Sequence, residues 1–204
     1  MMKNIKKSWI ILGVVVILLL IGYSSIKGTY NSMNAASKEV DASWAQVENV
    51  YQRRADLIPN LVSTVKGYAD FEQKTLTDVI EARSKATSVN IDPTNLSENN
   101  LQQFEAAQQG LTSALSRLMV VVERYPELKA NQNFMELQAQ LEGTENRIAV
   151  ERRNFIEKTK EYNTLITNFP QVFFAGAIGF KEKPTFSAKE GADQAPDVGS
   201  QLNQ

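Results

Sequence analysis

Apolar residues recur at three- and four-residue steps along most of this chain, the spacing of one face of an α-helix. A first stretch carries Met33, Ala36, Val40, Trp44, Val47 and Tyr51. A second carries Val62, Val65, Ala69, Leu76 and either Val79 or Ile80. A third runs Leu101, Phe104, Ala107, Leu111, Leu115, Leu118, Val122 and Tyr125, and a fourth Phe134, Leu137, Leu141, Ile148, Phe155, Tyr162, Ile166 and Phe169. No run alternates at period two over a useful length, so the pattern predicts an all-α protein. The breaks between stretches are chemically marked. "NIDPTNLSENN" is dense in turn formers, with Ser97 placed to cap the third helix and Glu98 in its first turn. Pro126 ends the third helix and Pro170 the fourth. Helices of similar length joined by short links pack antiparallel, which predicts an up-down-up-down four-helix bundle.

The first corner is the hardest to place. "RRADLIPN", residues 53–60, lies where the apolar period runs almost unbroken through Tyr51, Ile58, Val62 and Val65. Proline removes a backbone donor and clashes with the carbonyl four residues earlier, and it biases Ile58 away from helix. Asp56 could cap a new helix at about this point. A single helix over 28–88 would be roughly 90 Å long with half its stripe uncovered. The expectation is therefore a corner at Pro59, with residues 28–57 rising roughly 45 Å.

Ahead of the bundle lies "WIILGVVVILLLIGYSSI", residues 9–26, without a charge. As a helix it spans roughly 27 Å, close to the hydrocarbon core of a bilayer. Lys3, Lys6 and Lys7 precede it and only Lys27 follows closely. The positive-inside bias then puts the N-terminus in the cytoplasm and the bundle outside, as a single-pass protein of the cytoplasmic (inner) membrane. A cleaved signal peptide is the competing reading, with Ile10–Ile21 as its apolar core and Gly22-x-Ser24 as a small-residue cleavage site. Length favours a retained signal-anchor. Three regions result: an anchor over 1–27, an extracytoplasmic bundle over 28–180, and a polar tail over 181–204. The tail, "KEKPTFSAKEGADQAPDVGSQLNQ", has few large apolar groups and is expected to be disordered.

Composition mostly excludes. Formal net charge is −1, and no basic patch with interleaved aromatics is present, so nucleic acid is not an expected partner. Cysteine and histidine counts are both zero. That removes disulfides, thiolate and Ser-His nucleophiles, the usual zinc sites and the Glu-x-x-His pairs of di-iron bundles. No Gly-rich loop follows a strand, so no nucleotide cofactor is expected, and no cofactor of any other kind.

Three blocks carry a resemblance. "RRADLIPNLVSTVKGYADFEQKTLTDVIEAR", "LTSALSRLMVVVERYPELKANQNFMELQAQLEGTENRIAVERR" and "EYNTLITNFPQVFFAGAIGFKEKPTF" resemble successive blocks of LemA family proteins. The order of lysines, one span, a helical bundle and a polar tail matches too. The resemblance covers nearly everything from residue 3 to about 186. It implies an N-terminally anchored bacterial membrane protein with an antiparallel helical bundle outside the membrane, and it implies no reaction. Members of the family are often regarded as envelope accessory proteins. One departure is visible: the family repeats Tyr-Asn one heptad before "EYN", and here Phe155-Ile156 stands in that place.

The candidate sites each have a bland alternative. "RRADLIPN" and "VERYPELKAN" fall at corners expected at the same distal end. Together they would present Arg53, Arg54, Asp56, Asn60, Glu123, Arg124, Tyr125, Lys129 and Asn131 as a partner-docking tip. The bland alternative is turn chemistry with solvated arginines. Glu145 and Arg152 interrupt the apolar seam of the fourth helix, and Glu72 and Arg83 that of the second. Two facing carboxylates, Glu72 and Glu145, would suit acid-base work or an oxygen-ligand ion such as calcium. The alternative is a polar layer that fixes register, with Arg117 or Arg152 as counter-ion. Gly110 and Gly143 read as a close approach of two helices. Last, "NFPQVFFAGAIGFK" returns toward the bilayer, uncharged between Pro170 and Lys181 and too short to span it. Phe173, Phe174, Ile178 and Phe180 either cap the bundle or enter the membrane interface.

The sequence thus points to a non-enzymatic envelope scaffold or adaptor. Its expected partners are the lipid bilayer and an envelope protein, with a second copy of the chain as a further partner. A membrane-shaping or oligomer-forming protein, or a carboxylate-dependent hydrolase or metal-binding enzyme, are the alternatives.

Overall fold

The computed structural model of the chain describes residues 7–67 and 72–186. The expected lysines Lys3 and Lys6, the second-helix residue Ala69 and the tail beyond Phe186 lie outside the described residues. All regular structure among the described residues is helical: α1 (Lys7–Lys66), α2 (Gln73–Ser88), α3 (Glu98–Val122), the single turn α4 (Pro126–Lys129), α5 (Gln132–Thr167) and α6 (Val172–Ile178). A short 3₁₀ turn, Pro93–Asn95, links α2 to α3. Ser97 caps α3 as expected, its hydroxyl accepting from the Asn100 N–H at 3.2 Å. Asn131 caps α5 through the Phe134 N–H at 3.1 Å.

Directions alternate, α1 up, α2 down, α3 up and α5 down, so the up-down-up-down topology holds. Its proportions differ from the sequence reading. α1 is one helix of 60 residues, about 90 Å long. Its first third is long and apolar enough to cross a membrane, and every large apolar side chain from Trp9 to Ile26 is exposed. The remaining two thirds pack chiefly on α5, while α2 packs on α3. Residues 28–66 rise about 58 Å, and the 36 residues of α5 descend about 54 Å, so α5 alone covers the stripe of α1.

The chain therefore does not turn at Pro59; it turns after Lys66. The physical reason is tertiary. Pro59 leaves the carbonyl of Ala55, four residues earlier, without its helical donor. Arg83 of α2 supplies the replacement, its Nε donating to that carbonyl at 2.7 Å. The Pro59 ring faces out of the bundle, where it clashes with no neighbouring helix.

The core forms two clusters. The distal one gathers Ile58, Leu61, Val65, Leu76, Val79, Leu111, Leu118, Leu128 and Phe134. The proximal one gathers Met33, Val40, Trp44, Val47, Tyr51, Phe104, Ile148, Phe155, Tyr162 and Ile166. Trp44 lies edge-on to Phe104 and Phe155, with centroids at 5.2 and 5.3 Å. Each such buried aromatic or aliphatic side chain contributes roughly 1.5–3 kcal/mol. Gly110 and Gly143 do not mark a close helix approach, since a Cβ on either would meet nothing within 4 Å. The structure gives these two glycines no packing role.

The polar tail does not begin at Lys181. Residues 181–186 climb back along the groove between α1 and α5. The Tyr162 hydroxyl donates to the Lys181 carbonyl at 2.9 Å. Asn163 clasps the Lys183 backbone at both ends, donating to its carbonyl at 2.8 Å and accepting from its N–H at 2.9 Å. Lys183 Nζ reaches Asp41 at 2.6 Å, and both side chains are largely buried. Phe186 closes the strap against Trp44 and Phe155. Composition hid this because one buried phenylalanine and one paired lysine are enough to hold six residues.

Candidate functional site

Between the two core clusters lies a polar node. Arg54 sits on the apolar stripe of α1, three residues after Tyr51 and four before Ile58, so its side chain enters the bundle. Only 3% of that side chain is exposed. Nη1 donates to Glu145 of α5 at 2.9 Å and to Thr112 of α3 at 3.1 Å. Nη2 donates to the Gln108 side-chain oxygen at 2.7 Å. Gln108 in turn donates to the Ala86 carbonyl of α2 at 3.1 Å. Arg54 thus joins α1, α3 and α5, and Gln108 extends the same layer to α2. The Arg54 charge is opposed by a carboxylate that remains 56% exposed.

Toward the proximal cluster the node opens into a groove of about 750 Å³ between α3 and α5, floored by α1. Arg152 bridges it, donating to Glu105 at 2.7 Å and to the Tyr51 hydroxyl at 3.3 Å. Its guanidinium also lies over the Phe186 ring, 3.9 Å from the centroid. Burial works against the Arg152 charge, but the bonds to Tyr51 and Glu105 outweigh it and hold this guanidinium above its ordinary pKa.

The expected docking tip is divided. Glu123, Arg124, Tyr125, Lys129 and Asn131 do lie at the distal end. There Arg124 pairs with Glu72 at 3.4 Å and Lys129 with Glu123. Arg53, Arg54, Asp56 and Asn60 do not join them, because the turn comes after Lys66. From Arg54 to Lys66 α1 rises about 18 Å. Arg53, Asp56 and Asn60 are exposed on the flank of α1, and Arg54 is core. Asp56 lies 4.0 Å from Arg83.

Glu72 and Glu145 do not face each other. Glu72 is at the tip, and from Gln132 to Glu145 α5 has already descended about 20 Å. Each is paired with an arginine, and the counter-ion of Glu145 is Arg54, not Arg117 or Arg152. Among the described residues no three carboxylates converge on a point that could hold a metal ion. Sequence reasoning missed Gln108 and Thr112. The signal was present for Gln108, which stands on the α3 stripe between Phe104 and Leu111.

At the opposite end, α6 shows a mixed outcome. Phe173 is 72% exposed, and Phe169, expected on the core stripe of the fourth helix, is 80% exposed because α5 ends two residues earlier at Thr167. Val172 and Ile178 are exposed as well. Phe174 and Phe180 are half-buried, and Phe180 meets Tyr30 of α1 with ring centroids 5.7 Å apart.

The profile of the LemA family matches residues 43–199, well over half of the chain. The chain belongs to the LemA family. This LemA-family chain is also similar to magnetosome protein MamQ 1 of Paramagnetospirillum magneticum, 27% identical over 192 residues covering 86% of this chain and 70% of that protein. MamQ of Magnetospirillum gryphiswaldense is 25% identical over 181 residues, covering 80% of this chain and 66% of that protein. Protein LemA of Metamycoplasma hominis is 23% identical over 163 residues, covering 80% and 71%. The matched family region spans the polar node, the groove, the tip and the Tyr162-Asn163 clasp.

Proposed function

We propose that this LemA-family protein is a membrane-anchored post that works by binding, as a scaffold or adaptor on the extracytoplasmic face of the cytoplasmic membrane, with its N-terminus in the cytoplasm. The observation that carries this reading is the unbroken α1, which runs from the apolar span to the distal turn without a linker. A partner held at the tip is thereby held about 58 Å from the end of the span. The orientation rests on the lysines that precede the apolar segment. Binding is favoured over catalysis because both seam carboxylates are committed to arginines. The tip supplies the docking chemistry, with two ion pairs at its rim and the exposed Val120 beside them.

The test is affinity capture of the full-length protein from native membranes, comparing wild type with Arg124→Glu/Lys129→Glu. A co-purifying protein that disappears from the charge-reversed variant, at unchanged helical signal and melting temperature, is the expected result. Retention of the same protein by the variant would exclude the tip, and absence of any co-purifying protein from both would remove the scaffold reading.

A further inference from the structure

We propose that the loop and short helix at residues 169–178 form a second, shallow contact with the lipid bilayer, beside the point where α1 leaves it. The inference rests on the reading of α1 as a membrane anchor and adds to it a second attachment.

Register places the segment. Trp44 of α1 is level with Phe155 of α5. The two helices are antiparallel with equal rise, so stepping fourteen residues toward the membrane on each brings Tyr30 level with Phe169. The contact between Tyr30 and Phe180 confirms that level from the other arm of the turn. Tyr30 lies one helical turn beyond Ile26, the last residue of the uncharged run, a rise of about 6 Å. The polar headgroup layer is about 5–8 Å deep on each side of the hydrocarbon. With the span of α1 in the bilayer, residues 169–178 therefore lie within that layer.

The side chains divide as such a location requires. Ala175 is buried against the proximal core, and Phe174 and Phe180 are turned partly inward. Phe169, Val172, Phe173 and Ile178 are exposed, and the Phe169 and Phe173 rings meet edge to face at 5.9 Å. Elsewhere on the bundle, among the described residues, the exposed large apolar residues Ile80, Val120, Met135, Val150 and Ile156 are scattered singly. No charged residue occurs between Lys160–Glu161 and Lys181, and Lys27 and Lys181 flank the patch. Both lysines are exposed and suit anionic headgroups. Gly179, at φ 92°, lets the chain reverse after one short helix and climb away as the strap. The segment thus dips and returns, which fits an interfacial contact and not a span.

The absence of cysteine allows unique labelling of the full-length protein. Ala177→Cys, Leu18→Cys and Val120→Cys each receive a bimane fluorophore, in vesicles of phosphatidylethanolamine and phosphatidylglycerol. Doxyl groups placed shallow or deep in the lipid serve as quenchers. The expected result is quenching of the Leu18 label by deep doxyl, of the Ala177 label by shallow doxyl, and of the Val120 label by neither. Adding Phe169→Ser/Phe173→Ser should reduce shallow quenching at Ala177 to the level of the Val120 label while circular dichroism stays unchanged. A quenched Leu18 label beside an Ala177 label reached only by aqueous iodide would overturn this inference and leave the anchor standing. An unquenched Leu18 label would overturn the anchor. Shallow quenching at Ala177 that survives the serine changes would show that the phenylalanines do not make the contact.

Discussion

Arg83 is the residue whose removal most directly tests why α1 continues through a proline. Its Nε donates at 2.7 Å to the carbonyl of Ala55, the group that Pro59 deprives of a helical donor. Ala55 is 2% exposed with Arg83 in place, so the guanidinium is what satisfies that carbonyl in the folded bundle. A hydrogen bond from a charged donor contributes about 1.5–3 kcal/mol, and a shielded acceptor left bare costs a similar amount. The 4.0 Å approach of Arg83 to the exposed Asp56 adds little. Arg83→Ala should therefore cost about 2 kcal/mol. For a bundle of this size that is a fall in melting temperature of about 4–8 °C. Pro59→Ala restores the backbone donor, so in that background the Ala55 carbonyl has a second partner. There Arg83→Ala should cost under about 1 kcal/mol, giving a coupling of about 1–1.5 kcal/mol between two residues on different helices. Thermal melts of the four proteins by circular dichroism in detergent, where the apolar span stays helical, measure the cycle. Equal costs of Arg83→Ala in the two backgrounds would refute carbonyl capture as the reason the helix continues.

Two further outcomes follow from the interior. Arg54→Ala removes the guanidinium that joins α1, α3 and α5, leaves a cavity and bares the buried Gln108 side-chain oxygen; it should cost about 3 kcal/mol, a drop of about 6–12 °C, although the exposed Glu145 is free to hydrate. Arg54→Met, which fills most of that volume but still leaves the Gln108 oxygen bare, should recover about half of that loss in the same assay. Glu48 is held above its ordinary pKa, mainly by burial, so its ionised form is disfavoured in the folded state. The proton is bound more tightly folded than unfolded, and the resulting penalty is present at neutral pH and vanishes as pH falls below the unfolded value of 4.5. Glu48→Gln should therefore raise the melting temperature at pH 7 and lose that advantage in acid, as melts across the pH range would show.

The helical period was enough to place most of the core in advance. Met33, Val40, Trp44, Val47 and Tyr51 are buried as their spacing predicts, and so are Leu101, Phe104, Leu111 and Leu118. Ser97 announced its cap. What could not be read was the partner of each polar residue on a stripe. Glu145 and Arg152 were visibly out of place on α5, but their partners lie 91 and 47 residues away, and no local rule connects them. The strap was hidden for the same reason. Lys183 looks like a solvated tail residue until Asp41, 142 residues earlier, takes its charge.

Pro59 shows how a strong local rule yields. Interior proline costs about 3 kcal/mol in an isolated helix because a carbonyl is orphaned and a ring collides with the preceding turn. On a helix curving around a core the ring can point to solvent, and the orphaned carbonyl can be served by a neighbour. The second condition depends on α2 lying where Arg83 can reach, which depends in turn on the chain not turning at Pro59. The two features are mutually consistent, and neither is visible without the other. The consequence for the whole molecule is mechanical. Along the bundle α1 is fixed at Asp41 by the strap, at Arg54 by the node and at Ala55 by Arg83. Between Ile26 and Met33 no side chain is buried, and Gly28 costs the helix about 1 kcal/mol relative to alanine. That short stretch is where tilt of the span and tilt of the bundle would decouple. It is also where Phe180 meets Tyr30, so a patch of phenylalanines held in the headgroups at this level would brace the one segment of the post that the bundle does not.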